Sequence, residues 1–314
     1  CIPTCANRET QMTQSNVHGV VVVDKPPGVT SRRVVDCVSR TLATKAVGHA
    51  GTLDPLAAGV VVICVGNATK LVDFIHQQEK AYSVSFLLGR SSPSDDLETE
   101  LTIENEPKRP SFDQVSSAIR NQRGVIQQLP CVYSAKKVGG KRAYKLARLG
   151  KPVTLKPKEI RISHMEITSY AWPKLELSIV CSSGTFVRAI GRDLAEELGT
   201  TAVMETLVRT AVGPYKLSES LPLAAITQDE PGKKSINQAF RPLVSAVCHL
   251  TKRVLTAAET DHASRGGHLG TTPDIKGDSI AALDHDGNLV GVLKVLSSGG
   301  WRLRPNFIDS SPDS

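Results

Sequence analysis

The sequence Gly48-His49-Ala50-Gly51-Thr52-Leu53-Asp54-Pro55 separates two segments of different periodicity, and the fold can be worked out from it in both directions. Before it, apolar residues recur at helical spacing between positions 34 and 42, which predicts an amphipathic helix capped by Thr30 or Ser31. After it, residues 60–65 form a β-branched run that predicts a strand. Asp54 is therefore expected on a loop between ordered elements, where catalytic groups are often placed. On its own, an aspartate before a proline is more typical of a turn.

Other elements follow from local patterns. Residues 19–24 form a β-branched run that ends at two prolines, and Ser111 with Gln114 forms a capping box at the start of a helix. Residues 184–198 carry an apolar helical stripe that ends at Gly199. Because strands and helices follow one another without regular β-α-β alternation, the sequence indicates an α+β fold.

The C-terminal region has a different pattern. Two short β runs, 278–283 and 289–296, are joined through a turn and predict a hairpin. The stretch 228–235, with a proline, a glycine and two lysines, is the best linker candidate. The predicted division is a disordered extension at residues 1–18, a catalytic domain at 19–245 and a small β-rich domain at 246–314.

The composition is that of a folded protein with excess positive charge. Hydrophobic residues make up 40% of the chain and charged residues 22%, which is average for a globular protein. The net charge of +7 favours a polyanionic partner. Between positions 133 and 161 there are ten Lys or Arg residues and a single acid, with two tyrosines interleaved. This mix indicates RNA binding. A solvated basic surface is the simpler alternative. The acidic segment 91–107 is interpreted as a solvated surface excursion.

The cysteines and the apolar runs exclude several classes of protein. The seven cysteines include no C-x-x-C pair and no neighbouring histidine cluster, so neither a disulfide framework nor a zinc site is predicted. No apolar stretch approaches the roughly 20 residues that span a bilayer. We therefore expect a cytoplasmic protein with no membrane partner.

Five segments, in this order, carry a resemblance to one family. They are Asp24-Lys25-Pro26-Pro27-Gly28-Val29-Thr30-Ser31, Gly48-His49-Ala50-Gly51-Thr52-Leu53-Asp54-Pro55, Gly66-Asn67-Ala68-Thr69-Lys70, Tyr133-Ser134-Ala135-Lys136-Lys137 with Gly140-Lys141-Arg142-Ala143-Tyr144, and Cys181-Ser182-Ser183-Gly184-Thr185-Phe186-Val187-Arg188. With them the chain resembles the bacterial tRNA pseudouridine-55 synthase (TruB) family over nearly its whole length. The fourth segment discriminates best, and the C-terminal region matches least well.

The resemblance implies a pseudouridine synthase fold, with a mixed sheet crossed by a central active-site cleft and a C-terminal domain similar to an RNA-binding appendage. The implied reaction turns uridine 55 in the T loop of tRNAs into pseudouridine, after the base is flipped out of its stack. Because the isomerisation needs no redox step or external energy, no cofactor and no metal are expected. The implied partner is the T arm of tRNA, without a guide RNA or a required protein partner, and nothing demands more than a monomer.

The resemblance also implies roles for four pocket residues. Asp54 would be the catalytic carboxylate, acting as a nucleophile on the base or ribose, or by drawing a ribose proton. A carboxylate in a water-poor pocket needs a partner, and Arg188 can bind it bidentately. Tyr82 matches the tyrosine that stacks on the target base, and Leu207 matches an apolar residue of the uracil pocket. Without the resemblance, Arg188 would ordinarily be interpreted as an exposed helix residue, and Tyr82 and Leu207 as core residues.

The remaining expected site residues concern RNA binding and support of the loop. His49 is expected against the RNA, filling the gap left by the flipped nucleotide, and Lys25 is expected to give structural support. The other expected RNA-binding residues are Lys70, Lys136, Lys137, Lys141, Arg142 and Tyr144. Two alternative functions stay open: a guide-RNA-dependent pseudouridine synthase, which shares the aspartate loop, and a tRNA-folding chaperone.

Overall fold

The computed structural model describes residues 17–134, 137–138, 140–149, 152–270, 278–297 and 300–308. The strands are β1 (Gly19–Lys25), β2 (Val47–His49), β3 (Ala58–Val65), β4 (Lys80–Leu88), β5 (Arg90–Ser91), β6 (Thr102–Ile103), β7 (Gly124–Gln128), β8 (Lys137–Val138), β9 (Lys141–Arg142), β10 (Lys158–Ala171), β11 (Lys174–Cys181), β12 (Ala202–Val212), β13 (Tyr215–Lys216), β14 (Leu221–Pro222), β15 (Lys252–Val254), β16 (Ser279–Leu283), β17 (Leu289–Val295) and β18 (Trp301–Asn306). The helices are α1 (Ser31–Thr41), α2 (Val72–His76), α3 (Phe112–Asn121), α4 (Ala143–Arg148), α5 (Val187–Leu198), α6 (Glu230–Ala239) and α7 (Ala257–Ser264).

A mixed sheet forms the body of the molecule. In the described part of the chain it has ten strands, in the order β14-β1-β3-β12-β4-β11-β10-β7, with β2 beside β3 and β13 beside β12. β3 pairs antiparallel with β1 and parallel with β12, and β12 pairs antiparallel with β4. This arrangement brings the residues before and after β3 to the centre of the sheet.

The central strands are apolar at almost every position because both faces of the sheet are covered. On one face, alternate residues of β1 and β3 such as Val21 and Ile63 pack with buried residues of α1, α3 and α5. On the other face, Val22 and Val62 belong to a second apolar cluster that includes Val292 of the C-terminal region. A strand buried on both faces is expected to form a continuous apolar run rather than an alternating one.

Local signals explain where the main helices begin and end. The Thr30 side chain accepts a hydrogen bond from the backbone N–H of Arg33 and caps α1. Ser111 and Gln114 form the expected capping box of α3. α5 ends at Gly199, which adopts the left-handed conformation.

A four-stranded sheet in the order β15-β16-β17-β18 follows the main sheet along the chain. Its central pair, β16 and β17, is the hairpin predicted from the sequence. The α+β class with a mixed sheet and a small β-rich C-terminal part is therefore confirmed. The proposed domain limits at 245 and 246 stay a prediction, and residues 1–16 of the predicted extension lie outside the described residues.

Three local predictions need correction. The predicted linker at 228–235 is largely helical, because Asp229 caps α6 and Pro231 is tolerated in its first turn. The helix expected from residue 184 begins at Val187, after a glycine with positive φ. The acidic segment 91–107 is not uniformly solvated, since Asp96 is buried. Among the described residues, no helix is long and apolar enough to cross a membrane.

Candidate active site

The loop between β2 and β3 carries Asp54 and is fixed to the start of α1 and to the end of β1. The Ser31 hydroxyl accepts from the Leu53 N–H (2.9 Å) and lies 3.0 Å from the Leu53 carbonyl, to which it can donate. The buried Lys25 ammonium donates to the carbonyls of Pro55 (3.3 Å) and Ala57 (2.5 Å). Burial lowers the pKa of Lys25 to about 8, although the nearby Asp54 opposes the shift. The backbone on either side of Asp54 is therefore held by side chains from two other elements.

Arg209 on β12 holds the same loop from the sheet. Its guanidinium is almost fully buried and donates to the carbonyls of Gly51 (3.1 Å), Thr52 (3.2 Å) and Val60 (2.7 Å). No ion pair among the described residues involves Arg209, so its donors are satisfied by backbone carbonyls. Because these carbonyls belong to the loop and to β3, Arg209 fixes the loop relative to the central strand.

Arg188 in the first turn of α5 lies between two carboxylates. Its Nη2 is 3.2 Å from Asp54 Oδ2, and its Nη1 is 3.2 Å from Asp96 Oδ2. The same two nitrogens donate to the carbonyls of Tyr133 (2.9 Å) and Ser94 (2.8 Å). Burial acts to lower the pKa of Arg188, but Asp54 and the other acids outweigh it and raise the pKa above its usual value.

The two carboxylates differ in exposure. The Asp96 side chain is 2% exposed and accepts bonds from the Ser94 hydroxyl and the Glu98 N–H, whereas the Asp54 side chain is 40% exposed. Asp96 therefore neutralises Arg188 from inside the protein. Asp54 presents its free edge to the cavity and is available to a ligand.

Asp54 borders a small cavity of about 160 Å³, which we call the inner pocket. Its walls combine this acid and Arg188 with apolar and aromatic side chains, including Tyr82, Phe186 and Leu207. Burial raises the pKa of the Tyr82 hydroxyl, although Arg209 acts in the opposite direction, so Tyr82 is protonated at neutral pH. A flat group that accepts hydrogen bonds would fit walls of this chemistry.

Asp54 also borders a larger and more polar cavity of about 550 Å³, which we call the outer cleft. Arg32, His49, Glu98 and Tyr133 are among the residues that line it. The pKa of His49 is lowered by burial and by Arg209 and Arg32, so its imidazole is neutral at pH 7. Its Nδ1 is buried and has no hydrogen-bond partner among the described residues. His49 thus borders the outer cleft with a neutral ring, while its Nδ1 atom itself is closed off.

The structure brings together some of the expected site residues and separates others. Asp54, Tyr82, Arg188 and Leu207 border the inner pocket, and His49 borders the outer cleft. Lys25 lies beneath the loop and donates to the Ala57 carbonyl, whereas Lys70 lines a different cavity near the C-terminal sheet. Lys136 lies outside the described residues. The backbone of β8, β9 and α4 is described, but the side chains of Lys137, Lys141, Arg142 and Tyr144 are not.

Sequence reasoning missed Asp96 and Arg209. Arg209 is two residues after Leu207 on the same strand, so both side chains point to one face, and a charged residue there was an available signal. Asp96 lies in an acidic run outside the five matched segments and had no such signal. Among the described residues, no cluster of three or more His, Cys, Asp or Glu side chains could hold a metal ion.

Comparison with known proteins gives consistent matches. A family model described as TruB family pseudouridylate synthase (N terminal domain) matches residues 39–187. The tRNA pseudouridine synthase B of Mycobacterium bovis is 36% identical over 281 residues, which cover 88% of this chain and 91% of the relative. The protein of the same name from Rhodopirellula baltica is 34% identical over 266 residues, covering 82% and 76%.

Solved structures extend the likeness to the fold. A chain in the crystal structure of an archaeal box H/ACA sRNP Nop10-Cbf5 complex matches with a TM-score of 0.71 at 21% identity, covering 94% of this chain and 88% of that one. A chain in an H/ACA RNP bound to a substrate RNA containing 2'-deoxyuridine gives a TM-score of 0.70 at 20% identity, covering 93% and 85%. At such identities the likeness concerns the fold alone, and it confirms the fold expected from the sequence.

Proposed function

Because the chain belongs to the TruB family of pseudouridylate synthases, we propose that it converts uridine to pseudouridine in tRNA, with uridine 55 of the T loop as its target. The observation that carries the proposal is the convergence of Asp54, Tyr82, Arg188 and Leu207 on the inner pocket. A carboxylate, a paired arginine and flat apolar walls are what the isomerisation of a uracil base requires.

The reaction breaks the N-glycosidic bond, turns the uracil and rejoins it to the ribose through carbon 5. Asp54 supplies the carboxylate, either as a nucleophile on the base or ribose or by taking a ribose proton. Arg188 orients this carboxylate, since its guanidinium stays charged and pairs with Asp54 Oδ2 at 3.2 Å. Tyr82 stacks on the uracil, and Leu207 limits the space in which it turns.

The position of the inner pocket supports base flipping. A uridine within a folded T loop can reach Asp54 only if its base leaves the stack and enters the pocket, at a cost of a few kcal/mol. Stacking on an aromatic side chain recovers about 1–3 kcal/mol of that cost. His49, at the border of the outer cleft, lies where it can contact the RNA that surrounds the extruded nucleotide.

The test is pseudouridine formation in an unmodified tRNA transcript, mapped by position, with wild type and Asp54→Asn in parallel and no other protein or guide RNA present. We expect wild type to modify the T-loop uridine and Asp54→Asn to bind the transcript without modifying it. Glu100→Gln, an exposed acid outside both cavities, is the matched control and should behave as wild type. Tight binding of tRNA by wild type without modification of any uridine would instead favour the chaperone or the guide-dependent alternative.

A further inference from the structure

Two consecutive acids in the loop after β5 pair with two arginines that lie one turn apart on α5. Arg192 follows Arg188 by four residues, so both side chains leave the same face of the helix. Arg188 Nη1 lies 3.2 Å from Asp96 Oδ2. Arg192 Nη1 lies 3.2 Å from Asp95 Oδ2. We call the contact between Asp95 and Arg192 the distal ion pair, because it lies one helical turn beyond the arginine that contacts Asp54.

The same two arginines also hold the segment 129–133 against α5. Arg188 Nη2 donates to the Tyr133 carbonyl at 2.9 Å. Arg192 Nη2 donates to the Leu129 carbonyl at 2.6 Å. Because its N–H donors form a rigid planar fork, a guanidinium can bind a carboxylate and a carbonyl in one fixed geometry. Each arginine therefore joins the helix to the acidic loop and to this segment, and the contacts of Arg192 repeat those of Arg188 one turn along the helix.

The distal ion pair lies outside both cavities that border Asp54. Asp95 and Arg192 line a separate cavity of about 470 Å³, which shares none of its described lining residues with the inner pocket or the outer cleft. Asp96, in contrast, lines the outer cleft. A base in the inner pocket would therefore not touch the distal ion pair, and any influence of this pair on the reaction must pass through Asp96 or Arg188.

The backbone conformation of Asp95 couples the distal ion pair to Asp96. Asp95 has a φ of +61°, which is uncommon for a residue other than glycine and needs support from the surrounding structure. Its carbonyl accepts from the Met204 N–H at 3.0 Å, and its carboxylate is bound by Arg192. Loss of the ion pair removes one of these anchors, and a relaxation of φ at Asp95 moves the next residue, Asp96.

We propose that Asp95 and Arg192 are positioning residues for the reaction. The distal ion pair holds Asp96 in place against Arg188, and this fixes the guanidinium that pairs with Asp54. The inference rests on the proposed function, which supplies the reaction whose rate is measured. Both side chains of the pair are largely buried, with 15% of Asp95 and 29% of Arg192 exposed. A partly buried pair keeps one geometry better than a surface pair, whose long side chains move among several rotamers.

The test removes either end of the distal ion pair. Asp95→Asn keeps the volume and suits a positive φ, and it leaves Arg192 paired with Asp193 at 2.8 Å. Arg192→Gln removes the cation. We expect each variant to lower the turnover rate for an unmodified tRNA transcript about fivefold, while the affinity for the transcript stays within about twofold of wild type. Glu196→Gln, at an exposed acid that lines the same cavity, is the matched control and should keep wild-type turnover.

A second background separates positioning from structural support. If the distal ion pair acts through Asp96, adding Asp95→Asn to Asp96→Asn should lower the turnover rate by less than about twofold, because the contact that it positions is already lost. Independent effects multiply, so a further loss of about fivefold in this background would overturn the proposal. Wild-type turnover in both single variants, at a temperature at which they are folded, would overturn it as well. If Arg192→Gln does not fold, the comparison of Asp95→Asn in the two backgrounds decides alone.

The two proposals fail in distinguishable ways. If wild type forms pseudouridine in the transcript and Asp95→Asn either keeps wild-type turnover or loses affinity as much as turnover, only the positioning role is wrong. If wild type modifies no uridine of the transcript, the proposed function is wrong, and the positioning role falls with it.

Discussion

Arg188 is a buried cation that forms an ion pair with the exposed carboxylate of Asp54. Its guanidinium also pairs with Asp96, which is nearly fully buried, and donates to two backbone carbonyls, so of its two ion pairs only the one with Asp54 borders the inner pocket. An isolated buried charge costs several kcal/mol, and Asp96 offsets that cost without occupying the inner pocket. Asp54 therefore meets an arginine whose position is fixed before any substrate arrives.

This arrangement predicts that Asp96 is a positioning residue for Asp54. Asp96→Asn keeps the volume and can still accept from the Glu98 N–H, but it leaves Arg188 with one carboxylate, Asp54. The guanidinium should then shift toward Asp54 and restrain it. We expect pseudouridine formation to fall about tenfold or more, equivalent to about 1.4 kcal/mol of barrier, with the free energy of unfolding lower by about 1–3 kcal/mol.

The control for Asp96→Asn is Glu100→Gln, which removes an acid from an exposed position in the same segment. The turnover rate and the tRNA affinity are measured separately for both variants. A positioning role lowers the turnover rate much more than the affinity. Equal losses in both, or wild-type turnover in Asp96→Asn, would show that Asp96 does not act through Arg188.

The lowered pKa of Lys25 predicts that the stability of the protein depends on pH. Its pKa is about 8 in the folded protein against an ordinary value of 10.5, because burial disfavours the charged form. Between these values the unfolded chain binds more protons than the folded one, so the contribution of Lys25 to stability rises with pH and is smallest below pH 8. The free energy of unfolding of wild type minus that of Lys25→Met should increase from pH 7.5 to pH 10. Lys45→Met, at an exposed lysine, should show no such increase. A flat difference for Lys25→Met would contradict the lowered pKa.

Individual residues differ in how far the sequence predicts their placement. Asp54 and Arg188 lie in motifs, and the need of a carboxylate in a water-poor pocket for a cation predicts their pairing. The structure contains this pair, but the buried partner is Arg188 and the Asp54 side chain is 40% exposed. Asp96 could not be assigned, because its burial depends on a loop that folds back over α5. The catalytic and RNA-binding roles expected for these residues stay predictions.

At the scale of elements, the junction of β3 with β12 determines where the catalytic loop lies. Gly59 pairs with Arg209 across these parallel strands and has a φ of +102°. A side-chain carbon at Gly59 would lie 2.3 Å from the Arg209 carbonyl oxygen. Only glycine allows this approach, and the approach places the Arg209 guanidinium under the loop.

Gly59→Ala is therefore expected to separate β3 from β12 and to release the loop. We expect the free energy of unfolding to fall by about 3 kcal/mol or more, and pseudouridine formation to fall with it. Gly48→Ala is the matched control, since it lies on neighbouring β2 with no atom within 4 Å of the added carbon. Chemical denaturation of both variants checks the prediction, and similar losses at the two positions would contradict it.

The elements that the sequence predicted correctly are those with local signals. α1 and α3 have caps and apolar stripes, and the β16–β17 hairpin has a turn between two β runs. α6 was missed because a proline, a glycine and two lysines resemble a linker, whereas a capping aspartate and a proline in the first turn are also a helix start. The strand order could not be predicted, since β12 lies between β3 and β4 through contacts distant in sequence.

At the scale of the whole molecule, the main sheet and the C-terminal sheet share one apolar layer. Val22, Val62 and Cys64 from the main sheet pack in the same cluster as Leu289 and Val292 from β17. Two units joined by a common core are expected to unfold together rather than independently.

The two tryptophans of the chain allow this cooperativity to be measured. Trp172 follows β10 in the main sheet and Trp301 begins β18 in the C-terminal sheet, so Trp172→Phe and Trp301→Phe backgrounds each report one unit. In both backgrounds, Val292→Ala should lower the free energy of unfolding by about 2 kcal/mol, because it leaves a cavity in the shared layer. Val295→Ala, at a half-exposed position of the same strand, should shift neither curve appreciably. If Val292→Ala shifts the unfolding curve that Trp301 reports but not the one that Trp172 reports, the C-terminal sheet is an independent folding unit. If both curves move together, the two sheets unfold as one cooperative unit, as the shared apolar layer predicts.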